Sequence, residues 1–198
     1  MATLAPSEAP TVAPTLPPTL EPTPSPVVLK GTGETATDPR QLPALISVAT
    51  FTHSGRSNFA VETFRGGKLL DVLVSKIEVY TGSRPLTGVD PIILNIEADG
   101  AWTVTVAPIQ WCASSGAFTG KGDMTSTQFN SPTAVAWEFA HDGKSNFAVL
   151  LHCGTDGRLR DVVQNRIGVF QGSAIVVIPP GPGFWEVEAD GNWSLKLR

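Results

Sequence analysis

Three histidines, two cysteines, five tryptophans and a set of strand-embedded aspartates are the side chains of this 198-residue chain whose types could carry chemistry. His53 and His141 occur in like settings, followed by Ser54-Gly55 and Asp142-Gly143. A metal site would require a second ligand at a fixed spacing, and neither histidine has one. The setting instead predicts turn histidines whose rings bond a backbone group. His152, beside Cys153, also lacks a spaced partner and is expected to be half-packed or to face solvent. The chain has no Gly-x-Ser-x-Gly elbow, Ser-x-x-Lys, His-Glu-x-x-His or Cys-x-x-Cys. Gly31-Thr-Gly33 and Gly120-Lys-Gly122 lack the third glycine and following helix of a dinucleotide fingerprint. The reading is therefore non-enzymatic, with no catalytic residue, cofactor or metal.

Asp71 and Asp161 each interrupt an apolar run, and a buried carboxylate is costly unless it accepts several hydrogen bonds. This predicts a structural network in which Asp71 and Asp161 bond backbone amides or the nearby Asn58 and Asn146. A calcium site with Glu97, Glu188, Asp99 and Asp190 is the rival reading, and no Asp-x-Asp-x-Asp loop supports it. Trp102 and Trp193 fall on core-facing positions. Trp111, Trp137 and Trp185 occur singly and are the candidates for a ligand-binding platform, where a ring could stack on a sugar. Cys112 and Cys153 are expected to form a disulfide, closing a loop of about 40 residues for roughly 4 kcal/mol.

These residues belong to a duplicated frame. Phe51, His53, Gly55, Ser57, Asn58, Phe59, Ala60 and Val61 reappear as Phe139, His141, Gly143, Ser145, Asn146, Phe147, Ala148 and Val149. Leu69, Asp71 and Val72 match Leu159, Asp161 and Val162, and Glu97, Asp99, Gly100 and Trp102 match Glu188, Asp190, Gly191 and Trp193. A repeat this long is a small domain, not a solenoid unit. The domains are read as 27–107 and 113–198. Within each copy, short Val/Ile/Phe-rich runs alternate with turn residues, the pattern of an all-β sandwich. Residues 44–51 and 57–64 read as two arms of a hairpin, and each Asp-Gly as a tight hairpin turn. The count is six or seven strands per copy, giving two tandem antiparallel β-sandwich modules.

Residues 1–26 are different, with eight prolines and no Lys or Arg, and read as an extended Pro/Thr-rich spacer or stalk. Fourteen basic against eighteen acidic residues give a net charge of −4. The modules are electrostatic twins, each half from residue 27 onward holding seven basic and eight acidic groups. The mild acidity argues against a nucleic-acid-binding surface, and no apolar run approaches a membrane span of about 18 residues. Met1 is followed by neither a basic nor an apolar segment, so no signal peptide is read here, and an extracellular or cell-surface location is expected from the Pro/Thr-rich spacer and the resemblance below.

The Gly-x-Gly-Glu/Asp opening, the Ser-Asn-Phe-Ala-Val and Leu-x-Asp-Val strands and the closing Ala-Asp-Gly-x-Trp together resemble an uncharacterised β-sandwich repeat of secreted and surface-anchored bacterial proteins. The resemblance covers residues 27–198 and implies an extracellular accessory role without assigning a functional residue. The expected function is a non-enzymatic binding or assembly module with a protein or glycan partner at the cell exterior, or with itself. Alternatives are a carbohydrate-binding accessory domain of a secreted enzyme system and a structural subunit of an extracellular filament or shell.

Overall fold

The computed structural model describes residues 24–112, 116–130 and 134–198. The spacer read over residues 1–26 therefore lies, but for its last three residues, outside the described residues. The chain is all-β. The first module comprises β1 (Val27–Thr32), β2 (Thr35–Ala36), β3 (Ile46–His53), β4 (Asn58–Arg65), β5 (Lys68–Ile77), β6 (Tyr80–Thr87), β7 (Ile93–Ala98) and β8 (Ala101–Pro108). The second repeats the series as β9 (Ala117–Lys121), β10 (Met124–Thr125), β11 (Ala134–His141), β12 (Asn146–Cys153), β13 (Arg158–Ile167), β14 (Phe170–Val177), β15 (Gly183–Ala189) and β16 (Asn192–Leu197). The sheets run β1-β8-β3-β6 and β2-β7-β4-β5, and the second module has the same two orders shifted by eight. This is jelly-roll connectivity in both copies.

Eight strands per module exceed the six or seven read from sequence, because two-residue strands such as β2 and β10 leave no alternation to read. A larger correction concerns the turns. β3 and β4 lie in different sheets, as do β7 and β8, so the chain arches between layers at both places and makes no hairpin there. Gly100 and Gly191 do not take positive φ. Glycine is needed because the arches abut: a Cβ on Gly100 would sit 2.5 Å from the Gly55 amide nitrogen. The sequential hairpins are β4–β5 and β12–β13.

Two separate cores fill the sandwiches. Alternation on β8 sends Trp102, Val104 and Val106 inward, and Trp193 and Leu195 on β16 do the same. Each closing tryptophan also explains the Gly-x-Gly opening. The Trp102 ring lies where a Cβ on Gly31 would come within 2.5 Å, and its indole N–H donates to the Gly33 carbonyl at 3.0 Å. Trp193 repeats both contacts with Gly120 and Gly122. The second core is the more aromatic, with Trp137 and Trp185 at the places of Ala49 and Leu94. No helix among the described residues is long and apolar enough to cross a membrane.

Candidate functional site

The duplicated histidines are clasped by the arches. The His53 ring stacks on Phe59 at 4.5 Å, and Nδ1 lies 2.9 Å from the Glu78 carbonyl. The Gly55 N–H donates to Nε2, which leaves Nδ1 as the donor to Glu78. His141 stacks on Phe147 at 4.7 Å and reaches the Gly168 carbonyl at 2.9 Å. The expected ring-to-backbone bond is present in both, but each histidine ends a strand, β3 or β11, and does not sit in a hairpin loop. Asp99 faces His53 at 3.2 Å and accepts the Arg56 and Ser57 amides. Those amides hold its carboxyl below the usual range, against a smaller opposing effect of burial. At Asp190 burial pulls upward, and the Lys144 and Ser145 amides with nearby His141 outweigh it. Each Asp-Gly thus ties one arch to the next.

The predicted aspartate network does not form. Asp71 and Asp161 are exposed, on the edge strands β5 and β13. Both modules carry register shifts at the same two places, between Val61 and Glu62 and between Thr63 and Phe64 in the first, and at their counterparts in the second. Such bulges break the in-out alternation, so a carboxylate inside an apolar run meets water. Asp71 accepts the amide of its own neighbour Val72, while Asn58 donates to Glu97. Asn146 is exposed like Asn58.

Two of the three platform tryptophans are also corrected. Trp137 and Trp185 are fully buried, their rings 5.2 Å apart and edge to face, and cannot offer a face to a sugar. They pack there because the second core has large aromatics where the first has Ala49 and Leu94. Trp111 is exposed, in the connection between modules. Cys112 and Cys153 are not bridged; Cys153 is buried on β12, and its burial pushes the thiol pKa up. His152 is not half-packed but buried, stacked on Phe184 at 4.7 Å.

His152 belongs to the seam between the modules. Its Nε2 lies 2.7 Å from Glu186 on β15, and its Nδ1 lies 2.9 Å from the Gly157 carbonyl. Arg84 on β6 crosses from the first module, its Nε 3.0 Å from Glu186 and its Nη1 2.6 Å from Glu188. Burial works against the Arg84 charge, but Glu186 and Glu188 outweigh it and raise its pKa. Beside this pair, buried Asp123 accepts the Tyr80 hydroxyl at 3.0 Å and the Ala189 amide, and meets Lys76 at 2.9 Å. Burial, reinforced by Asp123, drives the Tyr80 pKa upward, so the phenol stays a donor. Backbone completes the joint: the Ser83 N–H donates to the Asp123 carbonyl, and the Thr125 N–H donates to Ser83 Oγ. A buried ionic joint of this kind fixes orientation through its hydrogen-bond geometry.

The seam escaped the sequence reading, which looked for residues kept in both copies. Its marks are positions where aligned strands differ: Tyr80 against Phe170, Arg84 against Ala174, His152 against Phe64 and Glu186 against Asn95. An open groove of about 570 Å³ follows the seam, walled by Ile77 and Val79, with Lys121 and Asp190 at its rim.

The second notable surface is apolar. Ile77 and Ile167 are 75% and 84% exposed, and Val79 and Val169 are 72% and 78% exposed. Leu69, Leu159, Val72 and Val162 are also exposed, at matching places on the edge strands β5 and β13. A jelly roll needs none of these exposed side chains for its core. Among the described residues no group of three His, Cys, Asp or Glu could hold a metal ion.

No protein-family model matches the chain, and a search of curated proteins returned no match. Among solved structures, the stem and receptor-binding domain of the spike protein P1 from bacteriophage PM2 is similar over 90% of this chain and 98% of that one. Its 7% identity and TM-score of 0.18 are too low to bear on this chain's fold or function.

Proposed function

We propose that the chain is a non-enzymatic binding and assembly module that works outside the cell, on the surface of a bacterium, with a protein or glycan partner. The observation that supports this most is the apolar stripe exposed twice, at aligned positions and to nearly equal degrees. Leu69, Val72, Ile77 and Val79 lie along an edge strand and the arch beyond it, and Leu159, Val162, Ile167 and Val169 repeat them. Ile77 with Val79, and Ile167 with Val169, give each module an exposed apolar pair, and exposed apolar patches on a monomer mark contact surfaces. The exposed Asp71 and Asp161, with their bulges, disfavour strand addition at the same edges. The partner is thus met by side chains and not by the backbone ladder.

The histidines and acids that could do acid-base work are engaged in arches and seam, which supports the non-enzymatic reading. A glycan reading has Trp111 as its exposed ring.

The test pairs labelled protein with bacterial envelope fragments and with an array of surface polysaccharides. A variant carrying Ile77→Ser, Val79→Ser, Ile167→Ser and Val169→Ser should fold with an unchanged melting temperature and bind at least about tenfold more weakly, a loss of about 1.4 kcal/mol. Binding unaffected by the four changes refutes the stripe. Chemical conversion of a bound ligand refutes the non-enzymatic reading.

A further inference from the structure

We propose that the seam repeats between molecules: the β13–β14 side of one copy docks on the β2–β7 side of a second copy, head to tail. The inference rests on the assembly half of the function proposed above and names the partner as the chain itself.

The duplication provides the geometry. Within the chain, β6 of the first module meets β10 of the second through the Ser83 amide and hydroxyl. The counterpart of β6 is β14, which ends its sheet as β6 does, and Ser173 stands at the place of Ser83. Ser173 faces Glu138 in the register in which Ser83 faces Thr50, so its amide has the same outward direction. Ser83 is buried by the seam, while Ser173 is exposed. Gly82, whose Cβ would lie 3.1 Å from the Asp123 carbonyl, is matched by Gly172, so the close backbone approach is kept. On the receiving side, β2 pairs with β7 as β10 pairs with β15, and Glu34 and Ala36 stand at the places of Asp123 and Thr125.

The charges are complementary. Arg166 lies over the Phe170 ring at 5.4 Å, as Lys76 lies over Tyr80 at 6.0 Å. Arg166 is exposed and has no ion pair among the described residues, and Glu34 is exposed on the opposite module. In the docked pair Arg166 would meet Glu34 as Lys76 meets Asp123.

The substitutions are coupled. Arg84 becomes Ala174 on the donor side and Glu186 becomes Asn95 on the acceptor side. Both members of the Arg84–Glu186 pair are gone together, while exposed Glu97, at the place of Glu188, keeps a carboxylate that would face Ala174 without a cation. The hydroxyl of Tyr80 is also missing at Phe170. The contact between chains is accordingly weaker than the internal seam and reversible. It is heterologous, leaving one free donor side and one free acceptor side after each addition, and growth continues unless the rotation closes a ring.

Sedimentation equilibrium of the whole chain from about 10 μM to about 1 mM tests this. The average mass should rise with concentration past twice the 20.9 kDa of one chain. Arg166→Glu alone and Glu34→Arg alone should each weaken association at least about tenfold, with melting unchanged because both side chains are exposed. An equal mixture of the two variants should recover it, since each supplies the side that the other lacks. A wild-type chain that stays at 20.9 kDa throughout, single variants that associate as the wild type does, or a mixture that stays dissociated each overturns the proposal. Failure here with stripe-dependent binding intact leaves the binding function standing; loss of stripe-dependent binding with assembly intact does the reverse.

Discussion

Replacing Arg84 by methionine should unfasten the two modules. The side chain is 13% exposed and meets Glu186, itself 7% exposed, and Glu188. Methionine keeps most of the apolar volume and removes the charge. Glu186 then stays buried with His152 as its remaining partner, and Glu188 faces it without an intervening cation. Removing one member of a buried pair costs about 3–5 kcal/mol, because the other charge is left uncompensated. For a chain of this size about 2–4 °C of melting temperature follows each kcal/mol, so the fall should be about 6–20 °C. Calorimetry is the assay, and the transition should also split, as each sandwich has its own core and the seam couples them. The double variant Arg84→Met with Glu186→Gln should recover part of the loss, since the buried carboxylate is gone and only half-buried Glu188 is left without its cation. A single variant within about 1 kcal/mol of the wild type would mean a seam already open to water, as exposed pairs behave, and would refute the reasoning.

Acid should loosen the arches: Asp99 and Asp190 have lowered folded pKa values, so their contribution is present above the unfolded value and lost as pH falls below about 4. Tryptophan fluorescence during acid titration should show this, and Asp99→Asn with Asp190→Asn should flatten it; an unchanged acid midpoint rules it out. Glu78 is the one non-glycine described residue at positive φ (73°), where its counterpart is Gly168. Glu78→Gly should therefore stabilise by up to about 1 kcal/mol in urea, and Gly168→Glu should destabilise by about the same; destabilisation by the first removes the argument. Without a bridge, two thiols should titrate in the unfolded chain without reductant, and reductant should leave melting unchanged. In the folded chain Cys153 should react slowly, being buried with a raised pKa; mass spectrometry showing a chain two protons lighter than its reduced form would contradict this.

Two copies, their all-β character and the inward set of Trp102, Val104, Trp193 and Leu195 were legible along the chain, whereas the core places of Trp137 and Trp185 were not. The legible properties are local or periodic. Alternation places Trp102 and Val104 inward whatever the sheet does next, and the repeat shows at fixed spacing. The recurrence of His53 and His141 beside the same glycines also marked their rings as bonded to backbone, though not that each ends a strand. Tertiary structure alone decided which strands pair. A run such as 44–51 followed by 57–64 reads the same whether the chain turns back in one sheet or arches to the other, and the Asp-Gly pairs read as turns until the arches are seen to abut. It decided the exposure of Asp71 and Asp161, because a bulge resets alternation without changing the residues around it. It also decided the seam. Arg84, His152 and Glu186 lie on strands of two different domains, and no spacing along the chain relates them. Their charges are compatible with burial only because docking the modules brings a cation from one onto carboxylates of the other.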